Sequence, residues 1–489
     1  MRENMKLEEY KFGFADAETE FSRDKNIFEY SFYDPKSNVD KLMNGHKFMI
    51  VGRKGVGKTA ILSKIKFECE QDSNLHSFSL KLNDFEYSTF SKTSIEKNTI
   101  GTQKYKDSWD FILLMGILKI LYEKFNHIEN DEIISLLSFL EELGFSNLKL
   151  QDYKRDISNL AKIKRGVNIP GLGLTFEKEF GYEPNSFLEK LSAINSKILN
   201  VINNSYNGNN KIYILIDGLD DLLRYKKEQL DILTSLLRSI NYLNDKFFEK
   251  AVGYKIIISI REDILNKVTD PDLNKMKRDG SLKVDWTQRP NDLKKIVALR
   301  MQYSGLSEKE AFRQLDQLFP PKVKRKNGWE YILDHTLYKP RDILQFMITC
   351  QDEFPNYSIF YFSKLNTVLK TYSSEYFINE MKDELSGFID DKIINALPHV
   401  FKSIGSNNFS QQEFFNNFKE QSINDDLKES DIRVLLIALY DAGYIGQLIP
   451  NHGGKDSVNF KYKNTNTQVD FSKKFIIHHG LQIGLGVRL

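Results

Sequence analysis

Cysteine is scarce in this chain of 489 residues, which has only Cys69 and Cys350. The two stand far apart, outside any CxxC or Cys/His group, so we predict neither a disulfide framework nor a zinc site. Excess charge is scarce too, because 69 basic and 67 acidic residues leave a formal net charge of +2. The chain as a whole therefore does not attract a polyanion, although a local basic patch is possible. We expect a reducing, cytoplasmic location.

Long apolar runs are also missing. The first residues lack the apolar core of a secretory signal, and no run approaches the roughly 20 apolar residues of a membrane span. We therefore expect no membrane insertion. The chain does have 41% hydrophobic and 28% charged residues, the composition of a globular protein. Its length predicts about three domains on a prior of ~150 residues each.

A glycine-rich loop follows an apolar run at residues 48–51 and precedes a helical pattern at residues 58–69. The loop matches the P-loop pattern G-x-x-x-x-G-K-(S/T). Glycines let backbone N–H groups turn toward phosphate oxygens, and the helix N-terminus adds partial positive charge. The alternative is a glycine turn that fits by chance. We predict that ATP contacts Gly52, Lys54, Gly55, Val56, Gly57, Lys58, Thr59 and Ala60.

Lys58, Thr59 and Asp217 have separate predicted roles. Lys58 would reach the β- and γ-phosphates, and Thr59 would bind Mg²⁺. Asp217 ends the apolar run at residues 212–216, which predicts a buried strand. A carboxylate at the carboxyl end of such a strand lies where open α/β sheets place their ligands. We predict that Asp217 is the second partner of Mg²⁺.

Two further acids, Asp220 and Asp221, follow closely. One of them could polarise the attacking water, because phosphoryl transfer needs a positioned nucleophile, and Asp221 is slightly favoured. Alternatively, both acids cap the next helix, where negative charge suits the helix dipole.

Arg261 follows a β-branched run at residues 255–260, which predicts another strand of the same sheet. Its guanidinium could contact the γ-phosphate. The alternative is a surface ion pair with Glu262 or Asp263.

Strands alternating with helices predict an α/β fold with a parallel sheet. A further strand is expected at residues 77–82 and a helix at 226–244. We divide the chain into a P-loop ATPase core at 1–300, a helical lid at 301–385 and a winged helix-turn-helix at 386–489. The core carries a mostly helical insertion at about 85–185, with helices at 109–125 and 132–143 and a hairpin at 166–176.

The winged helix-turn-helix is predicted from the order of its elements. Helical patterns at residues 391–401, 411–418 and 429–442 precede short strands at 444–448 and 458–462, around a Gly453-Gly454 turn. Helices followed by a short hairpin are typical of this motif.

The strand-end pattern Asp217-Gly218-Leu219-Asp220-Asp221 resembles the signature of STAND ATPases, the signal-transduction relatives of AAA+ proteins. Most AAA+ enzymes have an acid directly after the first Asp, where this chain has Gly218. The water-activating acid of the family, usually glutamate, falls on Asp221. The shorter side chain argues against fast hydrolysis.

Looser matches at residues 13–18, 52–55, 261–264 and 340–342 resemble a bacterial branch of P-loop ATPases often encoded near phage-defence genes. The resemblance implies that Arg261 is a phosphate sensor. It also implies that Pro340 and Arg341 open a lid helix facing the nucleotide. A role in signalling or phage defence follows from it, through homo-oligomers with ATP near a subunit interface or through a separate effector protein.

Two other features have plainer interpretations. The adjacent His478 and His479 would point to opposite faces of a strand without companion ligands, which favours a structural role over a metal site. The basic run at residues 322–326 could touch phosphates, but such a run is more often a solvated loop.

The functional hypothesis is a nucleotide-controlled switch. ATP, clamped between sheet and lid, would be hydrolysed and would move the winged helix to expose or hide a partner surface. The alternative is a DNA-handling AAA+-like ATPase with a DNA-binding winged helix, against which the near-neutral charge and a weakly basic wing argue. A small-molecule kinase ranks third, because such enzymes are compact.

Overall fold

The structure is a computed structural model that describes residues 4–82, 90, 105–125, 131–142, 187–206, 208–218, 227–268, 270–421, 428–450 and 456–487. The chain forms two compact units, each built from separated segments. The sheet unit comprises Ser37–Val51 and Ile61–Lys283. The helical unit comprises Met1–Lys36, Gly52–Ala60 and Val284–Leu489.

A five-stranded parallel sheet is the centre of the sheet unit, with strand order β2-β3-β4-β1-β5. β3 and β4 are buried along nearly their whole length, which explains their unbroken apolar sequence. This confirms the predicted α/β class and the parallel sheet. The strands are β1 (Met49–Gly52), β2 (Leu75–Lys81), β3 (Lys211–Asp217), β4 (Tyr254–Arg261) and β5 (Ser281–Lys283).

Helices make up most of the rest of the sheet unit. Gly116, in helix Lys106–Phe125, lies against the sheet so closely that a Cβ there would be 3.2 Å from side-chain atoms of Phe78 and Ile214. That helix therefore packs directly on the sheet, although the sequence places it in an insertion. The predicted hairpin at residues 166–176 lies outside the described residues. The helices are Asn38–Met43, Lys58–Gln71, Lys106–Phe125, Asp131–Glu142, Phe187–Asn204, Lys227–Glu249, Glu262–Lys267 and Pro271–Gly280.

The helical unit begins with the N-terminal segment and continues with the region after residue 284. Pro340 stands in the first turn of helix Pro340–Glu353, where its missing N–H costs nothing. This helix is called the lid helix below, after its predicted role. Ser307 and Glu310 form a capping box that starts helix Glu308–Leu318. The helices up to residue 385 are Leu7–Glu9, Ala17–Arg23, Lys25–Ser31, Pro290–Tyr303, Glu308–Leu318, Gly328–Leu333, Pro340–Glu353, Phe362–Thr371, the π-helical Tyr372–Phe377 and Ile378–Leu385.

A buried ion pair joins the N-terminal segment to helix Pro290–Tyr303. The guanidinium of Arg300 donates to Glu20 Oε1 at 2.8 Å and, through Nε, to the carbonyl of Phe12 at 2.8 Å. The two side chains are 5% and 3% exposed. Gly13 has φ +70°, and a Cβ there would lie 2.2 Å from Glu20 Oε2. The sequence around residue 13 therefore serves this packing.

The C-terminal part of the helical unit has helices followed by short antiparallel strands, in the predicted order. The sheet has strand order β6-β9-β7-β8. The predicted strand at 458–462 ends earlier, at Asn459, because the chain then turns and Lys463 N donates to the carbonyl of Phe460. The elements are helices Asp391–Ile404, Gln411–Glu420, Glu429–Ala442 and His479–Leu485, and strands β6 (Asn408–Phe409), β7 (Ile445–Ile449), β8 (Ser457–Asn459) and β9 (Phe475–Ile477).

The sequence did not indicate β6 or the last helix. The predicted Gly453-Gly454 turn lies outside the described residues. None of the helices in the described part of the chain combines the length and apolarity that a membrane crossing requires.

Candidate nucleotide-binding site

The glycine loop connects β1 to helix Lys58–Gln71 and belongs to the helical unit. Gly55 and Gly57 have φ angles of +80° and +98°, which residues with a Cβ rarely adopt. A Cβ at Gly52 would lie 2.8 Å from the carbonyl oxygen of Val284. The chain therefore has glycine at these three positions because the loop conformation requires it. Strand, loop and helix follow in the order that phosphate binding needs.

Lys58 is the first residue of the helix and is 7% exposed. Its Nζ donates to the carbonyl of Arg53 at 3.1 Å, so the ammonium lies over its own loop. Thr59 and Ala60 follow it and are partly exposed. The ammonium of Lys58 therefore lies beside the glycine loop.

Two basic residues of the loop contact distant parts of the helical unit. Arg53 donates to the carbonyl of Leu337 at 2.9 Å, and its guanidinium carbon lies 5.2 Å from the ring centroid of Tyr462. Lys54 Nζ lies 3.6 Å from a carboxylate oxygen of Glu380. The loop is therefore tied to residues before the lid helix, after it and near the C-terminus.

The lid helix starts against the loop. Arg341 N lies 3.4 Å from the carbonyl oxygen of Gly55 and donates to it. The Arg341 guanidinium pairs with Asp16 at 3.0 Å. The carbonyl of Val56 accepts a hydrogen bond from Trp286 Nε1 at 2.9 Å. The structure thus brings the predicted residues Pro340 and Arg341 to the glycine loop, with the charge of Arg341 already paired.

A buried network lies behind Arg53. Tyr462 Oη and His478 Nε2 are 3.0 Å apart, and His478 is fully buried. Burial holds the pKa of His478 well below its ordinary value, so its ring is neutral at pH 7.

The placement of His478 and His479 corrects the sequence prediction. β9 ends at Ile477, and His478 instead caps helix His479–Leu485, accepting from Gly480 N at 3.0 Å. The expected structural role of His478 agrees with these contacts. Within the described ranges, no group of three or more His, Cys, Asp or Glu is placed to hold a metal ion.

Asp217 ends β3 in the sheet unit, as predicted. Ser259 Oγ, on the neighbouring β4, donates to Asp217 Oδ1 and fixes the carboxylate. Ser259 was not singled out from the sequence, although it is the one hydroxyl in a β-branched run. Gly218 has φ +81°, so the position that is acidic in most AAA+ enzymes is one that disfavours any side chain here. Asp220 and Asp221 lie outside the described residues, and their roles stay predictions.

Arg261 ends β4 and is 4% exposed. Its Nε and one terminal nitrogen donate to the two carboxylate oxygens of Asp263 at 3.0 and 2.8 Å. The ion pair considered as the alternative is therefore present, with a guanidinium that is buried and not at the surface. Contact with a γ-phosphate stays a prediction for this residue.

Residues 291–379 match the family of the FunZ-associated C-terminal helical domain. The matched residues include the lid helix and the helices on either side of it. They cover less than half of the chain, so the match characterises this helical region and not the whole protein.

The chain is also similar to a putative transposon gamma-delta 80.3 kDa protein of Escherichia coli (strain K12). The two are 23% identical over 341 residues, which cover 68% of this chain and 45% of that protein. The chain thus aligns with less than half of the length of this relative. Neither match names a P-loop ATPase or a STAND protein.

Proposed function

We propose that the chain is a Mg²⁺-dependent P-loop ATPase whose nucleotide state acts as a molecular switch. The observation that carries this proposal is the glycine loop between β1 and Lys58, with Gly55 and Gly57 in the left-handed conformation. Such a loop can direct several backbone N–H groups at one phosphate, and Lys58 supplies the charge. A five-stranded parallel sheet is compatible with a P-loop fold.

The proposed ligands are ATP and Mg²⁺. Thr59 and Asp217 are the proposed Mg²⁺ partners, both with oxygen ligands of the kind that Mg²⁺ prefers. Asp221, or else Asp220, positions the attacking water in this proposal. Arg261 and Arg341 each hold a carboxylate partner with which a phosphate would compete, which makes each a candidate for a nucleotide-dependent change.

The switch is proposed from the contacts of the loop. Arg53, Lys54 and Gly55 touch Tyr462, Glu380 and Arg341, so a ligand that reshapes the loop also changes these contacts. A ligand shifts a conformational equilibrium only by its differential affinity for the two states, and these contacts supply such a difference. We propose that residues 386–489 form the moving winged helix. A role in signalling or anti-phage defence is proposed from the resemblance alone, with assembly or an effector protein as the output.

A mass measurement of the full chain, with and without ATP and Mg²⁺, tests the proposal. Nucleotide-dependent assembly is expected, and EDTA should reverse it. A protein that binds no ATP at millimolar concentration, by calorimetry in the presence of Mg²⁺, would exclude the ATPase proposal as a whole.

Asp217 and Asp221 are expected to differ when each is replaced by alanine. Asp217→Ala should weaken ATP binding in the presence of Mg²⁺ and leave Mg²⁺-free binding unchanged. Asp221→Ala should keep ATP affinity and slow hydrolysis by about 100-fold, the usual order for a lost general base. Calorimetry and phosphate release measure the two effects. Equal turnover in the parent and Asp221→Ala would move the water-positioning role to Asp220.

Tyr462 is expected to support the loop through its ring. Tyr462→Ala should weaken ATP binding by about 2- to 30-fold, because a cation–π contact contributes about 0.5–2 kcal/mol. Tyr462→Phe keeps the ring and should bind like the parent. The double variant Arg53→Ala with Tyr462→Ala should bind ATP no more weakly than Arg53→Ala alone. Additive effects in this cycle would show that Tyr462 acts through the stability of the C-terminal part and not through Arg53.

A further inference from the structure

A basic turn protrudes from the helical unit at residues 322–326. Val323 and Lys326 exchange two backbone hydrogen bonds of 2.8 and 2.9 Å, which leaves Lys324 and Arg325 at the tip. Their φ angles are +45° and +74°, values that a tight turn of this kind normally fills with asparagine or glycine. Strained backbone of this type concentrates at functional sites. The chain therefore holds two cations in a conformation that other residues would adopt more easily.

The base of the turn is held by contacts, and the two cations at its tip are not neutralised. Val323 is 4% exposed, and Lys326 pairs with Asp334. In the described part of the chain, no hydrogen bond or ion pair engages the side chains of Lys324 and Arg325, and both residues are exposed. Lys463 adds another positive charge nearby, since it lies 3.5 Å from the same Asp334. The result is an exposed cationic tip on an anchored base.

An exposed aromatic segment lies on the same helical region. Tyr357, Ile359, Tyr361 and Phe362 are 38%, 45%, 74% and 46% exposed. Four large apolar side chains within six residues form a patch of the kind that marks an interaction site. Lys364 places its ammonium 5.8 Å from the ring centroid of Tyr357. The segment therefore combines flat rings with positive charge.

The turn and the aromatic segment share one support. Phe360 N donates to the carbonyl of Leu318 at 2.7 Å, and the rings of Phe360 and Phe319 stack at 5.9 Å, just before the turn begins. After the turn, Tyr331 contacts the ring of Phe362 at 6.4 Å. The chain on both sides of the cationic tip is thus packed against the aromatic segment.

We propose that this surface binds single-stranded nucleic acid. Lys324 and Arg325 contact backbone phosphates, and unpaired bases stack on Tyr361 and Phe362. Duplex DNA hides the faces of its bases, so the exposed rings favour a single strand. A surface of cations and rings, with few groups to read base edges, binds with little sequence preference. The proposed binding does not depend on ATP. Its residues lie in the region that matches the FunZ-associated C-terminal helical domain, and the description of that family names no ligand.

The test is fluorescence anisotropy of a labelled 20-nucleotide oligothymidylate, titrated with the full chain without nucleotide at several salt concentrations. Lys324→Glu with Arg325→Glu should weaken binding by about 10-fold or more. The slope of log affinity against log salt should become shallower by about 0.7 for each phosphate that the variant no longer neutralises. Tyr361→Ala with Phe362→Ala should weaken binding about 10-fold and leave that slope unchanged.

Matched controls separate these effects from general charge and hydrophobicity. Lys309→Glu with Lys392→Glu makes the same charge change at exposed lysines elsewhere, and Phe248→Ala removes an aromatic ring that is 71% exposed in the sheet unit. Both should bind like the parent, as should Lys58→Ala, and thermal melts should match for all variants.

Three results would overturn the proposal. The first is no binding of the oligonucleotide at low salt. The second is equally tight binding to a duplex with no effect of the aromatic changes. The third is capture by anionic lipid vesicles, abolished in the same variants, without oligonucleotide binding. Failure of ATP binding alone leaves this proposal standing, because the assay contains no nucleotide.

Discussion

Arg300→Met is expected to destabilise the helical unit by about 3–5 kcal/mol, the usual cost of removing one partner of a buried ion pair. The variant leaves Glu20 at 3% side-chain exposure without its cation and leaves the carbonyl of Phe12 without its donor. Burial already raises the pKa of Glu20, and Arg300 opposes that effect. The carboxylate would therefore stay buried with less compensation. Urea unfolding, followed by circular dichroism, measures the change.

Lys295 offers a matched control on the same helix. It pairs with Glu308, whose side chain is 62% exposed, so Lys295→Met should change stability by at most about 1 kcal/mol. If Arg300→Met were no more destabilising than Lys295→Met, the pair with Glu20 would not hold the N-terminal segment in solution.

Lys58→Ala is expected to weaken ATP binding by on the order of 100-fold, because a hydrogen bond to a charged group contributes about 1.5–3 kcal/mol and this lysine is proposed to contact two phosphates. Titration with a fluorescent ATP analogue measures it. Lys64→Ala, on the same helix, removes a lysine that pairs with Glu68 and should bind like the parent.

Circular dichroism of Lys58→Ala should match the parent, because the lysine ammonium hydrogen-bonds to the backbone of its own loop. Unchanged ATP affinity in a folded Lys58→Ala protein would show that Lys58 is not a phosphate ligand.

The sequence pattern was sufficient to predict those elements whose conformation depends on residues close by in the sequence. The glycine loop was found because Gly55 and Gly57 must adopt positive φ angles, and β3 and β4 because a buried parallel strand is apolar on both faces. The order of the C-terminal helices followed from their periodicity. Predicting these elements did not require knowing which distant residues they contact.

Partner choice across the sequence could not be predicted in this way. Nothing near Arg53 indicates Tyr462, and nothing near Glu20 indicates Arg300, since both pairs depend on how separate segments pack. The sequence predicts His478 on a strand, yet that strand ends at Ile477. Asp220 and Asp221 lie outside the described residues. Whether they position water or cap a helix therefore stays an open prediction from the sequence.

The discontinuous helical unit has a consequence for how the protein is made. Glu20 and Arg300 are 280 residues apart, so Glu20 leaves the ribosome well before its partner. At about 5–20 residues per second, that delay is roughly 15 to 60 s. The glycine loop waits longer still, because Arg53 and Tyr462 are farther apart in sequence than Glu20 and Arg300. The sheet unit can complete its own strands in the meantime, and the nascent N-terminal segment, with Phe21 and Phe28 uncovered, is a natural client for a chaperone.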